Sequence, residues 1–290
     1  MERLLIVAAL TAVIHLINTL VNAVRISGVR TRRLATAFSL YNVIFLFAST
    51  ANSIQGFLLA SIMEKVIEAG QLQSGVRIPD DQLIFDPGYQ VLLVSLDKDI
   101  RMVIVAATVG TLIGAVLIPA FVNIFNRAIL LFDEIGSVPR LIGLVMFSPR
   151  RFFKLTGQIY LPHKSSFKAA TARKMAIPKT FLVLNLIVTG IYTTGILSTI
   201  YAAALFPSFR LVAATLSAVV NGIATILAAT VVEPTSAAIT DQAIRGERSE
   251  DDVKQMAFYL TVTRLLGTVF AQLIFVPSAL FVKFVATLLA

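Results

Sequence analysis

Six long apolar runs, at residues 4–24, 34–63, 102–125, 180–206, 211–232 and 257–286, constrain this chain more than anything else in it. About 20 apolar residues wound as an α-helix cross the ~30 Å hydrocarbon core of a bilayer, and each run reaches that length. In lipid every backbone polar group needs a partner within its own segment, so such runs fold as helices. Composition removes the alternatives. The chain is 57% apolar and 14% charged with a mean hydropathy of +0.84. A soluble domain is about 45–50% apolar and about 25% charged, and disorder or a coiled coil needs more charge still. There is no cysteine, hence no disulfide framework and no thiolate metal site. The expected fold is an all-α polytopic membrane protein with six transmembrane helices. The first run is too long for a signal peptide and reaches Arg25 without a small-residue cleavage site. The second and sixth exceed what a bilayer requires, so a tilt, a break or a projecting end is expected there.

Orientation follows from the basic residues between spans. The connection 25–33 carries Arg25, Arg30, Arg32 and Arg33 and no acid, and the connection 127–179 carries ten basic residues against Asp133 and Glu134. With three more in 233–256, one side of the membrane receives 17 of the 25 Lys and Arg. The positive-inside rule places that side in the cytoplasm and both termini outside. A net charge of +9 in so apolar a chain points to anionic membrane lipids rather than nucleic acid. Topology alone accounts for most of these charges. The interleaved run Arg150-Arg151-Phe152-Phe153-Lys154 suits a helix lying in the interface.

The layout also repeats. Residues 1–126 hold three spans, 127–179 form a basic cytoplasmic connection, and 180–290 hold three more. Each half reads as span, short link, span, long acidic link, span. Gly110-Thr111 and Pro119 in span three echo Gly267-Thr268 and Pro277 in span six, and Asn42 and Asn221 sit alike in spans two and five. Three is an odd number, so a duplicated unit would insert upside down, which is the inverted-repeat plan of many transporters. Small residues and prolines also recur in membrane helices by chance. The matched layout is stronger than any single residue pair.

Polar groups inside the spans are the candidate site. His15, Asn18 and Asn22 follow one another at helical spacing along one face of span one, and Asn42, Asn52 and Asn221 add amides in spans two and five. They are read here as a cavity lining; interhelical hydrogen bonding, worth ~0.6 kcal/mol per contact, is the plainer reading of any one Asn. Glu233, before Pro234, and Arg264, about two turns into span six, are expected to form a charge pair. Arg264, Arg25 and Arg30 are candidate ligands for an anionic headgroup, because the guanidinium fork donates two hydrogen bonds to phosphate at once. No Walker A sequence and no HExxH motif occurs, and His15 and His163 lie far apart. No span contains Asp. No motif asks for a metal or another cofactor, and the chain reads as a transporter rather than an enzyme.

These residues carry a family resemblance. The stretch Arg25-Ile-Ser-Gly-Val-Arg-Thr-Arg-Arg33 with His15 before it and Ala35, Ala37, Ser39 and Asn42 after it resembles the bacterial Amj family, the alternate lipid II flippases distinct from the MurJ family. So do Gly110-Thr-Leu-Ile-Gly114 with Ile118-Pro119, Ile177-Pro178-Lys179, Tyr201-Ala202, Asn221-Gly-Ile-Ala-Thr-Ile226, Glu233-Pro234 and Arg264-Leu-Leu-Gly-Thr268. The order and spacing of these pieces, from span one to span six, make the likeness specific. The resemblance implies a bacterial cytoplasmic membrane protein that moves lipid II, an undecaprenyl-pyrophosphate-linked peptidoglycan precursor, from the inner to the outer leaflet by alternating access. It supplies no binding residues, so the site assignments rest on the residue chemistry above. A secondary transporter of a small solute or ion, or a membrane scaffold for cell-wall enzymes, would share the architecture.

Overall fold

The computed structural model describes residues 2–72, 77–137, 140 and 177–289, so most of the basic connection 127–179 lies outside the described residues. Among the described residues, six helical stretches are long and apolar enough to cross a membrane. The first is a bent pair, α1 (Glu2–Thr19) and α2 (Val21–Thr31). The bend is slight, because the Leu20 N–H still donates to the carbonyls of Leu16 and Ile17. Arg32 ends α2 in the left-handed region at φ 57°, and the Arg33 N–H closes back on the Gly28 carbonyl. Arg25, placed from sequence at the start of a loop, therefore lies inside a helix.

The second and third stretches are α3 (Leu34–Leu72) and α4 (Pro87–Ile135), single helices of 39 and 49 residues. At 1.5 Å per residue α3 is ~58 Å long, about twice the hydrocarbon thickness, so an unbroken projecting end resolves its excess length. Most of the acidic link 64–101 is thus helix, continuing α3 and beginning α4. Asp86 caps α4 by accepting the Tyr89 N–H at 2.8 Å, with Pro87 at the first helical position.

The second half begins with α5 (Lys179–Leu205). The fifth stretch, expected as one span, is segmented into α6 (Arg210–Thr215), α7 (Ser217–Leu227), a π turn at Ala228–Val232 and α8 (Glu233–Ile244). Pro234 supplies the reason for the π turn. It has no N–H, and its ring would strike the carbonyl four residues back, which a wider turn accommodates. The last helix, α9 (Glu250–Leu289), starts at a capping pair in which the Ser249 N–H donates to the Asp252 carboxylate at 3.0 Å.

Two helix pairs dominate the packing, α1 on α4 and α5 on α9, while α3 and the segmented fifth stretch are the least covered. Glycine makes both close approaches feasible. A Cβ at Gly110 would stand 2.1 Å from the Ala12 carbonyl oxygen, and one at Gly267 would stand 2.6 Å from that of Leu186. The apolar core is not continuous. One cluster gathers Ile17, Tyr41, Phe125, Phe181 and Leu260 around the Arg25 end. The other gathers Val7, Leu59, Ile104, Leu197 and Phe275 towards the Arg210 end. Between them each long helix carries polar side chains: Thr11 and His15 on α1, Gln55 on α3, Thr111 on α4, Thr189 and Thr193 on α5, and Thr261 to Thr268 on α9. A polar layer therefore divides the core at mid-depth.

Candidate functional site

Most of this layer satisfies itself. Thr11, Thr111, Thr189, Thr193 and Thr268 each donate to a carbonyl of their own helix, at 2.7 to 2.9 Å. Gln55 donates to Thr11 Oγ1 at 2.8 Å and ties α3 to α1. Asn185 donates to Thr263 Oγ1 at 2.8 Å and ties α5 to α9. These are ordinary fastenings of membrane helices. The residues left over define the site.

At the Arg25 end, a network joins three helices. Arg25 is 3% exposed, and its Nη2 donates to both carboxylate oxygens of Glu233, at 2.9 and 3.1 Å. Its Nη1 donates to Asn22 Oδ1 at 3.0 Å, and Asn22 Nδ2 donates onward to Thr261 Oγ1 at 2.9 Å. The carboxylate end is open: the Glu233 side chain is 58% exposed against 4% for that of Arg25. The ion pair expected between Glu233 and Arg264 is therefore not formed, and Glu233 pairs with Arg25 instead. The cause is the continuation of α2, which lifts Arg25 to the level of the π turn and Glu233. Arg30, also a candidate headgroup ligand, donates to Glu250 at 2.6 and 3.1 Å near the surface.

Arg264 differs. It is half-buried on α9, within electrostatic reach of His15, Tyr41, Arg25, Glu233 and Tyr192, and it makes no hydrogen bond or salt bridge to any described residue. A cation at the centre of a membrane helix costs ~2.5–3.5 kcal/mol on insertion scales, which makes a guanidinium with no hydrogen bond or salt bridge among the described residues a candidate ligand group. Its neighbour His15 is 8% exposed, and its Nδ1 has no hydrogen-bond partner among the described residues.

The expected cavity lining divides. Asn22 is buried and fully used by Arg25 and Thr261, so it lines nothing. Asn18 is half-buried and bonds to no described residue. Asn42 and Asn52 lie exposed on α3. Ser49 and Ser53 share the Asn42 face, and Ser53 spends its hydroxyl on the Ser49 carbonyl at 3.3 Å. One turn on from Ser53, Gly56 of the same stripe meets Ile196 of α5. Asn221 on α7 rests its buried, unpartnered Oδ1 against Gly195, where a Cβ would stand 2.0 Å away. Tyr192, one turn before Ile196, shares a 2.7 Å hydrogen bond with Thr225 of α7. α3 and α7 thus flank α5, with exposed amides and hydroxyls on α3 and the Asn221 and Thr225 contacts on α7, and Tyr192 lies within electrostatic reach of Arg264. The roles of Tyr192 and Tyr41 were not legible in sequence, because only the fold turns them toward Arg264.

A second ionic clasp joins the start of α6 to α3. Arg210, at the start of α6, donates to Glu64 of α3 at 3.0 Å and to Asp80 at 2.8 Å. The two clasps hold opposite ends of the same segmented stretch, and a cavity of about 360 Å³ beside the second is lined by Glu64, Glu68, Gln71, Arg77 and Arg210.

Fold and site together define an integral membrane protein whose described residues include six helical stretches able to cross a bilayer and a guanidinium, that of Arg264, that pairs with none of them. The family described as Alternate to MurJ matches residues 10–286. The chain belongs to this family, Amj. It is 32% identical over 280 residues to the lipid II flippase Amj of Bacillus subtilis (strain 168), covering 97% of this chain and 95% of that protein. No solved structure matches it.

Proposed function

We propose that this chain is a flippase that carries lipid II from the inner to the outer leaflet of the bacterial cytoplasmic membrane, supplying peptidoglycan synthesis. The observation that carries the reading is the near-full-length likeness to the Bacillus subtilis lipid II flippase. The physics of the fold supports it. An ionised group entering hydrocarbon unpaired costs tens of kcal/mol on idealised estimates, and Arg264 and Asn18, which bond to no described residue, offer it substitute hydrogen bonds. The thinly covered α3 and fifth stretch offer a side on which a lipid tail can stay in the bilayer while the headgroup crosses.

In this reading both termini are extracytoplasmic, and the Arg25 end is the entry. Arg30 and the basic connection 127–179 gather the phosphorylated headgroup from among the anionic lipids of the inner leaflet, each charge contributing ~1 kcal/mol near the surface. Asn18, Asn42, Asn52 and Asn221 meet the sugars. The two halves, 1–126 and 180–290, act as inverted repeats, with the Gly110 and Gly267 seams as their counterparts. An anion leaving an inside-negative cell gains ~2.3 kcal/mol per charge per 100 mV, so the membrane potential favours outward movement.

Reconstitution tests the proposal. Purified protein in liposomes with an imposed inside-negative potential is expected to expose fluorescent lipid II to an external quencher. Folded protein that leaves the lipid in its starting leaflet, and that cannot rescue a strain lacking its other lipid II flippases, overturns it.

A further inference from the structure

Two guanidinium groups stand within reach of each other's charge at the Arg25 end, and only one is occupied. Arg25 is engaged by Glu233 and Asn22, while Arg264 makes no hydrogen bond or salt bridge to a described residue. The anion that engages Arg25 is the more exposed member of its pair, at 58% against 4%. It is also carried by the helix that follows the π turn, where the backbone ladder is interrupted. Beside Arg264, the buried His15 has an unspent ring nitrogen. A buried polar atom without a partner calls for an explanation, and a ligand that is not in the structure is one.

We propose that Arg264, with His15 beside it, is the docking point for a diphosphate, and that the arriving diphosphate competes with Glu233 for Arg25. The chemistry fits the count. A diphosphate carries two phosphoryl groups, each able to take a bidentate guanidinium, and the site holds two guanidiniums, one free and one released by displacing a solvated carboxylate. The carboxylate keeps Arg25 neutralised while the site is empty, which spares the membrane a second bare cation. Its displacement frees α8 from α2, so filling the site also undoes the contact that holds the fifth stretch at this end. The proposal rests on the flippase reading only for the lipid attached to the diphosphate.

Binding to protein in phosphatidylcholine nanodiscs tests it, with radiolabelled inorganic pyrophosphate and farnesyl diphosphate as probes and farnesol as the neutral control. Arg264→Gln is expected to weaken diphosphate binding at least about tenfold, the loss of one charge-assisted hydrogen-bond pair. Arg264→Lys, which keeps the charge but not the fork, should fall between wild type and Gln. His15→Phe should cost a smaller factor. Glu233→Gln is expected to tighten binding, because the competitor for Arg25 is gone. If both probes bind with this dependence the diphosphate alone is recognised; if only farnesyl diphosphate does, the attached lipid is needed as well. Unchanged affinity in folded Arg264→Gln and Arg264→Lys, or no binding of either probe to wild type, overturns the docking point. Weaker binding in Glu233→Gln overturns the competition. Liposome flipping separates this from the function itself. Flipping with Arg264-independent binding removes the site and keeps the flippase, and Arg264-dependent binding without flipping does the reverse.

Discussion

Arg25 and Arg264 are the same side chain in neighbouring places, and they are held in opposite ways. Arg25 is sealed at 3% exposed, with a carboxylate and an amide saturating one side of its fork. Arg264 is half-open and bonds to no described residue. One is wired into the packing of α2, α8 and α9; the other bonds to none of the described side chains. The difference teaches how to separate stability from work in a membrane core. A buried charge with partners carries structure, and removing it leaves those partners stranded. A charge without partners carries no structure, so its insertion cost must be offset by what it binds.

The sharpest way to break the comparison is to remove the free member. Arg264→Ala is expected to lower lipid II flipping in liposomes by about 10–100-fold, from the ~1.5–3 kcal/mol of a hydrogen bond to a charged group. Its melting temperature should stay at or above that of wild type, since an uncompensated cation has gone. A large fall in melting temperature would show that Arg264 is a packing residue after all.

Arg25→Met should behave in the opposite way. It leaves Asn22 Oδ1 without its donor and Glu233 without its cation, and a loss of about 2–3 kcal/mol in stability is expected. Thermal unfolding in detergent should show it first, with Glu233→Gln costing less because that side chain is mostly solvated. Equal loss in the two variants would mean that the exposed carboxylate, rather than the buried guanidinium, organises the network.

Asn22 and Asn18 reproduce the contrast one helix face away. Asn22→Leu is expected to cost about 1 kcal/mol, the typical net worth of a protein hydrogen bond, because it unties Arg25 and Thr261 together. Asn18→Leu, which breaks no bond to a described residue, should leave the melting temperature unchanged and lower flipping if its amide meets the sugars. A melting shift in Asn18→Leu that matches that of Asn22→Leu would erase the distinction.

Much of this was legible before the fold. The six spans follow from apolar run length, and each run falls on a helical stretch that the structure supplies. Residue types at membrane depth also singled out His15, Asn22, Arg25, Glu233 and Arg264, which the structure gathers towards the Arg25 end. What sequence could not supply was the pairing. Glu233 and Arg264 were nearest in connection order, yet a helix that runs seven residues beyond Val24 brings Arg25 to Glu233 from the far end of the chain. Hydropathy marks where a helix is greasy, not where its hydrogen bonds stop, so α2 and both ends of α4 extend past the apolar runs. The segmentation of the fifth stretch was likewise hidden, since Pro234 lies beyond the residues that make that run apolar.

The smallest expected effect tests whether burial, and not charge, sets the contrast. Arg30 lies five residues after Arg25 on the same helix and also holds a carboxylate, that of Glu250, at 2.6 Å. Both members of the pair are accessible, the Arg30 side chain 38% and that of Glu250 33% exposed. Surface ion pairs are worth ~0–1 kcal/mol because water and salt compete for both groups. Arg30→Ala should therefore change stability by less than about 0.5 kcal/mol, and the change should shrink as salt is raised through the range where the Debye length falls below ~8 Å. Arg25→Met should keep its full loss under the same salt series, because the Arg25 side chain is only 4% exposed. Two arginines on one helix, each with one carboxylate, would then differ in salt response because of how much water reaches the guanidinium. If salt weakened both pairs alike, the Arg25 network would have to be as open to water as the surface, and its contrast with Arg264 would lose its physical basis.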